Sequence, residues 1–223
     1  MGRKTVAYAA PYFTFMLFLG LAQGLDAAHI APWGLPAIYA VFPLQTAACA
    51  AVLAWFWREY ALRLPAKACL AAGIGVLVFA LWIAPQVLFH RPARLVGFDP
   101  EVFAGRPAIF YWVEIVMRLA RSIVVVPLLE EIFWRGFLLR FLIDTPFEAV
   151  PFGTYAWQAN AVVAVAFMLE HLPPDRPAAL AAGLLYNLVA YRTRSLSSCV
   201  LAHAITNALL CAFILTTRQW GFW

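Results

Sequence analysis

Seven long apolar stretches, most of them near twenty residues, run through this chain. They limit what it can fold into more than any other feature. A helix needs about 20 mainly apolar residues to cross a hydrocarbon core. Backbone groups in lipid must be bonded within the protein, so spanning segments are helices or closed barrels. The stretches are Val6–Leu25, Leu35–Trp57, Ala66–Phe89, Ile109–Phe141, Tyr155–His171, Ala178–Tyr191 and Leu196–Leu215. They predict an all-α fold, a polytopic transmembrane helical bundle of seven helices, or eight if Pro127 splits the fourth stretch.

Composition agrees. The chain is 65% hydrophobic and 12% charged, against roughly 45–50% and about 25% in soluble domains. Its 223 residues suit one transmembrane domain over 1–223 and leave no room for a sizeable soluble one. No internal repeat or linker interrupts it. The net charge of +5 lies mostly in short connections, which points to membrane lipids as partners and away from nucleic acid. Arg3 and Lys4, Arg58, Arg63 and Lys67, Arg135 and Arg140, and Arg192 and Arg194 fall on one side of a seven-helix path, the cytoplasmic side.

The stretch 90–107 carries three arginines and is too polar to span, so it is expected at the surface. Arg3 and Lys4 followed by an apolar run have the outline of a signal peptide. The run is long enough to span, however, and no small-x-small site precedes Asp26, so a retained first helix is expected. Cys49, Cys69, Cys199 and Cys211 lie in apolar stretches without a CxxC and are expected to be buried small residues.

Within the fourth stretch stands Glu130-Glu131-Ile132-Phe133-Trp134-Arg135. Each charge at a bilayer centre costs about 2.5–3.5 kcal/mol or more, and ionisable residues there mark functional sites by default. Glu131 and Arg135 are four apart and pair on one helix face. Glu130 points about a third of a turn away, free to face a cavity. The bland alternative is a buried ion-pair network joining helices. Glu114, Arg118, Arg121 and Arg140 nearby read as interfacial or interhelical pairs.

Two further clusters follow. Phe167-Met168-Leu169-Glu170-His171 ends the fifth stretch. Its histidine has an ordinary capping reading beside a catalytic one, and Glu170 is assigned no role. His203-Ala204-Ile205-Thr206-Asn207 puts His203 and Asn207 on one face of the last stretch. The pair suits holding a developing oxyanion, or serves as an interhelical clamp. Together the clusters suffice for hydrolysis by activated water. Zinc through His171, His203 and a glutamate is open, although HExxH is absent.

Glu130-Glu131 with Arg135, Phe167 with His171, and His203 with Asn207 reproduce EExxxR, FxxxH and HxxxN in order. Over residues 110–215 the chain thereby resembles the CAAX-protease and bacteriocin-processing (CPBP, Abi, Rce1-type) intramembrane peptidases. A narrower likeness, from Glu170-His171 through Arg192-Thr193-Arg194 to Ala202-His203, is to the CAAX-protease-related proteins of PEP-CTERM/exosortase systems.

The resemblance implies an intramembrane endopeptidase, a hydrolase of a bacterial inner (plasma) membrane. Its partner would be a membrane-associated or exported protein or peptide substrate. It further implies that Glu130 activates water, that His171 holds or polarises it, and that His203 and Asn207 form the oxyanion site. Glu131 and Arg135 orient the cluster. The cofactor is none or a divalent metal such as zinc; a metal would be held by Glu130, His171 and His203. Two other readings stand beside it: a non-catalytic binding, immunity or sorting-accessory protein on the same fold, and a proton-coupled transporter. One tension is internal. Glu130 and His171 fall at different depths unless the fifth helix ends early inside the bundle.

Overall fold

The structure, a computed structural model, describes residues 2–223. Among the described residues it is helical, with seven long helical segments: α1 (Arg3–Ala27), α2 (Ile38–Trp55), α3 (Ala68–Val87), α4 (108–141), α5 (Trp157–Leu169), α6 (Arg176–Thr193) and α7 (Leu196–Thr217). α1, α2, α3 and α7 are long and apolar enough to cross a membrane. α4 is long enough, at about 1.5 Å per residue, to exceed a ~30 Å core, but it carries the charges. Large apolar side chains such as Phe13, Leu17, Leu44, Val76 and Val116 face outward. Trp55, Trp57, Trp112 and Trp157 are exposed at or near helix ends, as in a membrane-interface belt.

α4 is the axis of the bundle. It packs against α1, α2 and α7, while α3 lies on α6 and α7, and α5 pairs with α6. The run antiparallel to α7 is fixed by two contacts, Glu131 with His203 and Ser122 with Asn207. α1 is part of the core through Ala7, Tyr8, Tyr12 and Phe15. α3 approaches α7 closely at Gly75, where a Cβ would lie 2.5 Å from the Ala202 carbonyl oxygen.

Pro127 does not split α4. The helix widens instead to a π-helical stretch at Arg121–Val125 just before the proline, and again at Ile132–Leu138 after the glutamates. In the first, Val126 N–H reaches back five residues to Arg121 O. The next amide in that register belongs to Pro127, which has no N–H. Ser122 O is therefore left without an intrahelical donor. Such π stretches concentrate at functional sites.

The connection between α3 and α4 does not cross the bundle. Its Phe98 and Phe103 are buried against Tyr39, so it is docked on the bundle rather than loose at the surface. Arg94 makes a two-armed ion pair with Asp175, lies 4.4 Å above the Phe222 ring, and its carbonyl accepts from Gly221 N–H at 2.8 Å. Three distant pieces of chain are so held at one end of the bundle. The cysteines are all free thiols; Cys49, Cys199 and Cys211 are buried as expected, but Cys69 is exposed, in the first turn of α3.

Candidate active site

The two neighbouring glutamates have opposite surroundings. Glu131 is completely buried, and its Oε1 meets both Arg135 Nη1 and His203 Nδ1 at 3.0 Å. Arg135 is equally buried and spends every arm of its fork. Nε donates to Asn187 Oδ1 at 3.0 Å and Nη2 to the Gly183 carbonyl at 3.1 Å. Its guanidinium carbon lies 4.9 Å from the Phe167 ring centre and 5.4 Å from that of Tyr186. Asn187 in turn donates to Asn160 Oδ1 at 3.0 Å. The network ties α4 to α5, α6 and α7, and the π stretch carries Arg135 within it.

Glu130 makes no hydrogen bond among the described residues. It lines a cavity of about 280 Å³ together with His171, His203, Asn207 and Glu170. The expected set from three motifs thus meets at one hollow. The depth tension is resolved by the short α5, which ends at Leu169 with His171 just beyond it.

Both histidines have an assigned orientation. His171 Nδ1 lies 2.7 Å from the Phe167 carbonyl, which can only accept, so Nδ1 carries the proton and Nε2 is left with its lone pair. His203 Nδ1 faces the Glu131 carboxylate that already receives Arg135, and carries a proton for the same reason. The His203 ring is stacked on Tyr186 at 5.1 Å. Tyr186 donates to Thr206 Oγ1 at 2.7 Å, and that hydroxyl reaches the Gly75 carbonyl at 2.9 Å. Asn207 lines the cavity, but Nδ2 donates to Ser122 O at 2.8 Å, the carbonyl orphaned by Pro127.

Several contributors were not singled out in the sequence. Glu170 faces the cavity and accepts from the Tyr12 hydroxyl at 2.6 Å. Tyr12 itself is stacked on Phe133 with 4.0 Å between ring centres. Trp82 lies edge-on to His171 at 5.4 Å. Glu170 adjoins the motif histidine, which is a signal the sequence did offer; Tyr12, Trp82 and Asn187 come from stretches with no polar pattern around them. Of Glu114, Arg118 and Arg121, expected as interfacial or interhelical pairs, Arg121 is hydrogen-bonded across helices, its Nε donating to Gln45 Oε1 on α2 at 2.7 Å. All three are buried, none makes a salt bridge among the described residues, and both arginines line the cavity. Arg140 does hold structure together, donating to the carbonyls of Val150, Gly136 and Glu148.

The donor set does not fit a metal ion as arranged. Among the described residues no three His, Cys, Asp or Glu groups stand close enough to share one.

No curated protein and no solved structure matches the chain. Residues 111–209, which include every motif residue above, match the family described as type II CAAX prenyl endopeptidase Rce1-like. Residues 111–209 thus form an Rce1-like domain, similar to the CAAX-protease-like peptidases, hydrolases that act on a peptide bond, in a chain with four helices long and apolar enough to cross a membrane.

Proposed function

We propose that Glu130 is the general base of this peptidase and acts directly on water. The observation that carries the reading is the contrast at positions 130 and 131. One carboxylate is locked between a guanidinium and an imidazole, while its neighbour is unbonded at a cavity shared with two histidines and an amide. His171, with its Nε2 lone pair free, accepts a hydrogen bond from the attacking water. Glu130 removes the other water proton as the oxygen attacks the scissile carbonyl carbon. The carbonyl oxygen gains negative charge and faces the second Nδ2 hydrogen of Asn207. It also faces His203, whose ring is held in place by the contact of Nδ1 with Glu131. Collapse breaks the C–N bond, and the proton on Glu130 passes to the leaving amine. The products are a new carboxylate and a new amino terminus. The substrate is a membrane-associated or exported protein, and the membrane is the bacterial inner one.

The test is cleavage of membrane-anchored peptides by protein in proteoliposomes, with new termini read by mass spectrometry. Wild type is expected to generate them. Glu130→Gln should slow the reaction by about 10²–10⁴-fold, the usual share of a positioned acid–base group. Wild-type rates from Glu130→Gln would overturn the role. A biological function that survives Glu130→Gln without any cleavage would favour a non-catalytic binding protein.

A further inference from the structure

The cavity beside Glu130 is closed at one end by two segments that belong to no long helix. Gly221, Phe222 and Trp223 line it from the stretch after α7. That stretch lies flat on the connection between α3 and α4. Arg94 N–H donates to Gln219 Oε1 at 3.1 Å, and Gly221 N–H donates to Arg94 O at 2.8 Å. The contact leaves no room for a side chain: a Cβ on Gly221 would stand 2.7 Å from Val96 O. Trp223 packs against the rings of Trp220 and Phe98, at 5.6 and 5.7 Å, and its Nε1 donates to Cys211 Sγ at 3.5 Å. Arg94 then ties this layer to the opposite wall. Its guanidinium meets both carboxylate oxygens of Asp175, four residues beyond His171, and the two side chains are 16% and 14% exposed.

The cavity holds about 280 Å³, just under the roughly 300–1,000 Å³ of ligand pockets, and Glu130 is 7% exposed. A peptide bond within a chain brings neighbours on both sides, each about 3.3 Å long when extended. Such a chain needs more room and two openings, so one wall must move. The walls from α1, α4 and α7 belong to the packed core. The layer after α7 is held by a few hydrogen bonds, ring contacts and the one ion pair. Trp82 and Asp175 also line a second hollow, of about 260 Å³ between α3 and α6, and Arg94 lines it with them. The ion pair is thus part of the partition between two hollows. We propose that residues 219–223 and the connection around Arg94 form a cover that closes the active site, with the Arg94–Asp175 pair as its latch. Release of the pair frees the cover and joins the two hollows, so that a chain can enter and leave. The proposal rests on the peptidase reading of Glu130, which is why a chain must enter at all.

Cys211 reports the state of the cover apart from catalysis, because it lines the cavity against Trp223 and is 3% exposed. A water-soluble maleimide is added to the detergent-solubilised full chain, and labelling of each cysteine is timed by mass spectrometry beside thermal unfolding. Wild type is expected to label slowly at Cys211. Asp175→Asn unlatches the cover, and Gly221→Ala wedges it off Val96 O. Each should label Cys211 about tenfold faster or more, as loss of a charge-assisted contact implies, and kcat/KM for peptide cleavage should rise with it. Exchanging the partners, Arg94→Asp with Asp175→Arg, should bring labelling back toward the wild-type rate. Where Asp175→Asn loses its unfolding transition, Gly221→Ala reads the same rate. Both variants as slow as wild type, or an exchanged pair as fast as Asp175→Asn, overturns the proposal. So does an equal rise at Cys49 and Cys199, which are buried and do not line the cavity, since that marks general loosening. Faster labelling of Cys211 in protein that cleaves nothing would keep the cover and reject the catalytic role of Glu130. Cleavage that needs Glu130, with labelling unmoved in both variants, would keep the base and reject the cover.

Discussion

Asn207 on α7 completes a hydrogen bond that Pro127 removes from α4: its Nδ2 donates at 2.8 Å to Ser122 O, the carbonyl whose next in-register amide is the proline. One motif residue therefore holds two helices in register while it faces the cavity. Restoring an N–H with Pro127→Ala gives Ser122 O a donor of its own. Asn207→Ala should cost about 1 kcal/mol in the wild-type background and distinctly less alongside Pro127→Ala. A double-mutant cycle on thermal unfolding in detergent measures the difference; strictly additive costs would remove the link.

Arg135→Ala leaves Glu131 buried without its cation. Breaking such a pair costs about 3–5 kcal/mol, so the variant should lose most of its unfolding transition. Arg135→Lys should rescue little, because one ammonium cannot reach the Glu131, Asn187 and Gly183 oxygens from the positions of a fork. Unfolding midpoints close to wild type would show the network to be dispensable.

Tyr12→Phe removes the hydroxyl that Glu170 accepts at 2.6 Å while keeping the stack on Phe133. Glu170 would then be freed beside Glu130 and His171. A charge-assisted bond of this kind is worth about 1.5–3 kcal/mol, and peptide cleavage should fall by about tenfold or more with the fold retained. Unchanged kcat/KM would confine Glu170 to a packing role.

Gly75→Ala places a methyl group 2.5 Å from the Ala202 carbonyl oxygen. α3 must move off α7, straining the Thr206 bond to Gly75 O that braces Tyr186 under His203. Overpacking of this sort costs about 1–3 kcal/mol. The unfolding temperature and the cleavage rate should drop together.

The sequence is most legible where residues act locally. Apolar length alone locates the seven helices to within a few residues, and Glu131 with Arg135 pairs at helical spacing as expected. The π stretches are not visible, because they depend on how α4 accommodates Pro127 and the packing of α1 and α7. The arginines at 118 and 121 read as interfacial or interhelical pairs, and the aromatic rings that α2 and the final turn close over them are not visible in the sequence. Tyr12 reaches Glu170 across 158 positions of sequence, a pairing no local pattern announces. Cys69 shows the opposite limit, since an apolar neighbourhood in a membrane helix faces lipid as readily as core.

We propose that the adjacent glutamates divide the work, Glu130 for chemistry and Glu131 for architecture. The measurement that tests it most directly sets Glu130→Gln beside Glu131→Gln, scoring single-turnover cleavage in proteoliposomes and thermal unfolding on the same preparations. Glu130→Gln is expected to keep its unfolding transition and lose about 10²–10⁴-fold in rate, while Glu131→Gln unfolds at distinctly lower temperature. A Glu130→Gln protein that cleaves at the wild-type rate, or one that unfolds as readily as Glu131→Gln, would contradict it.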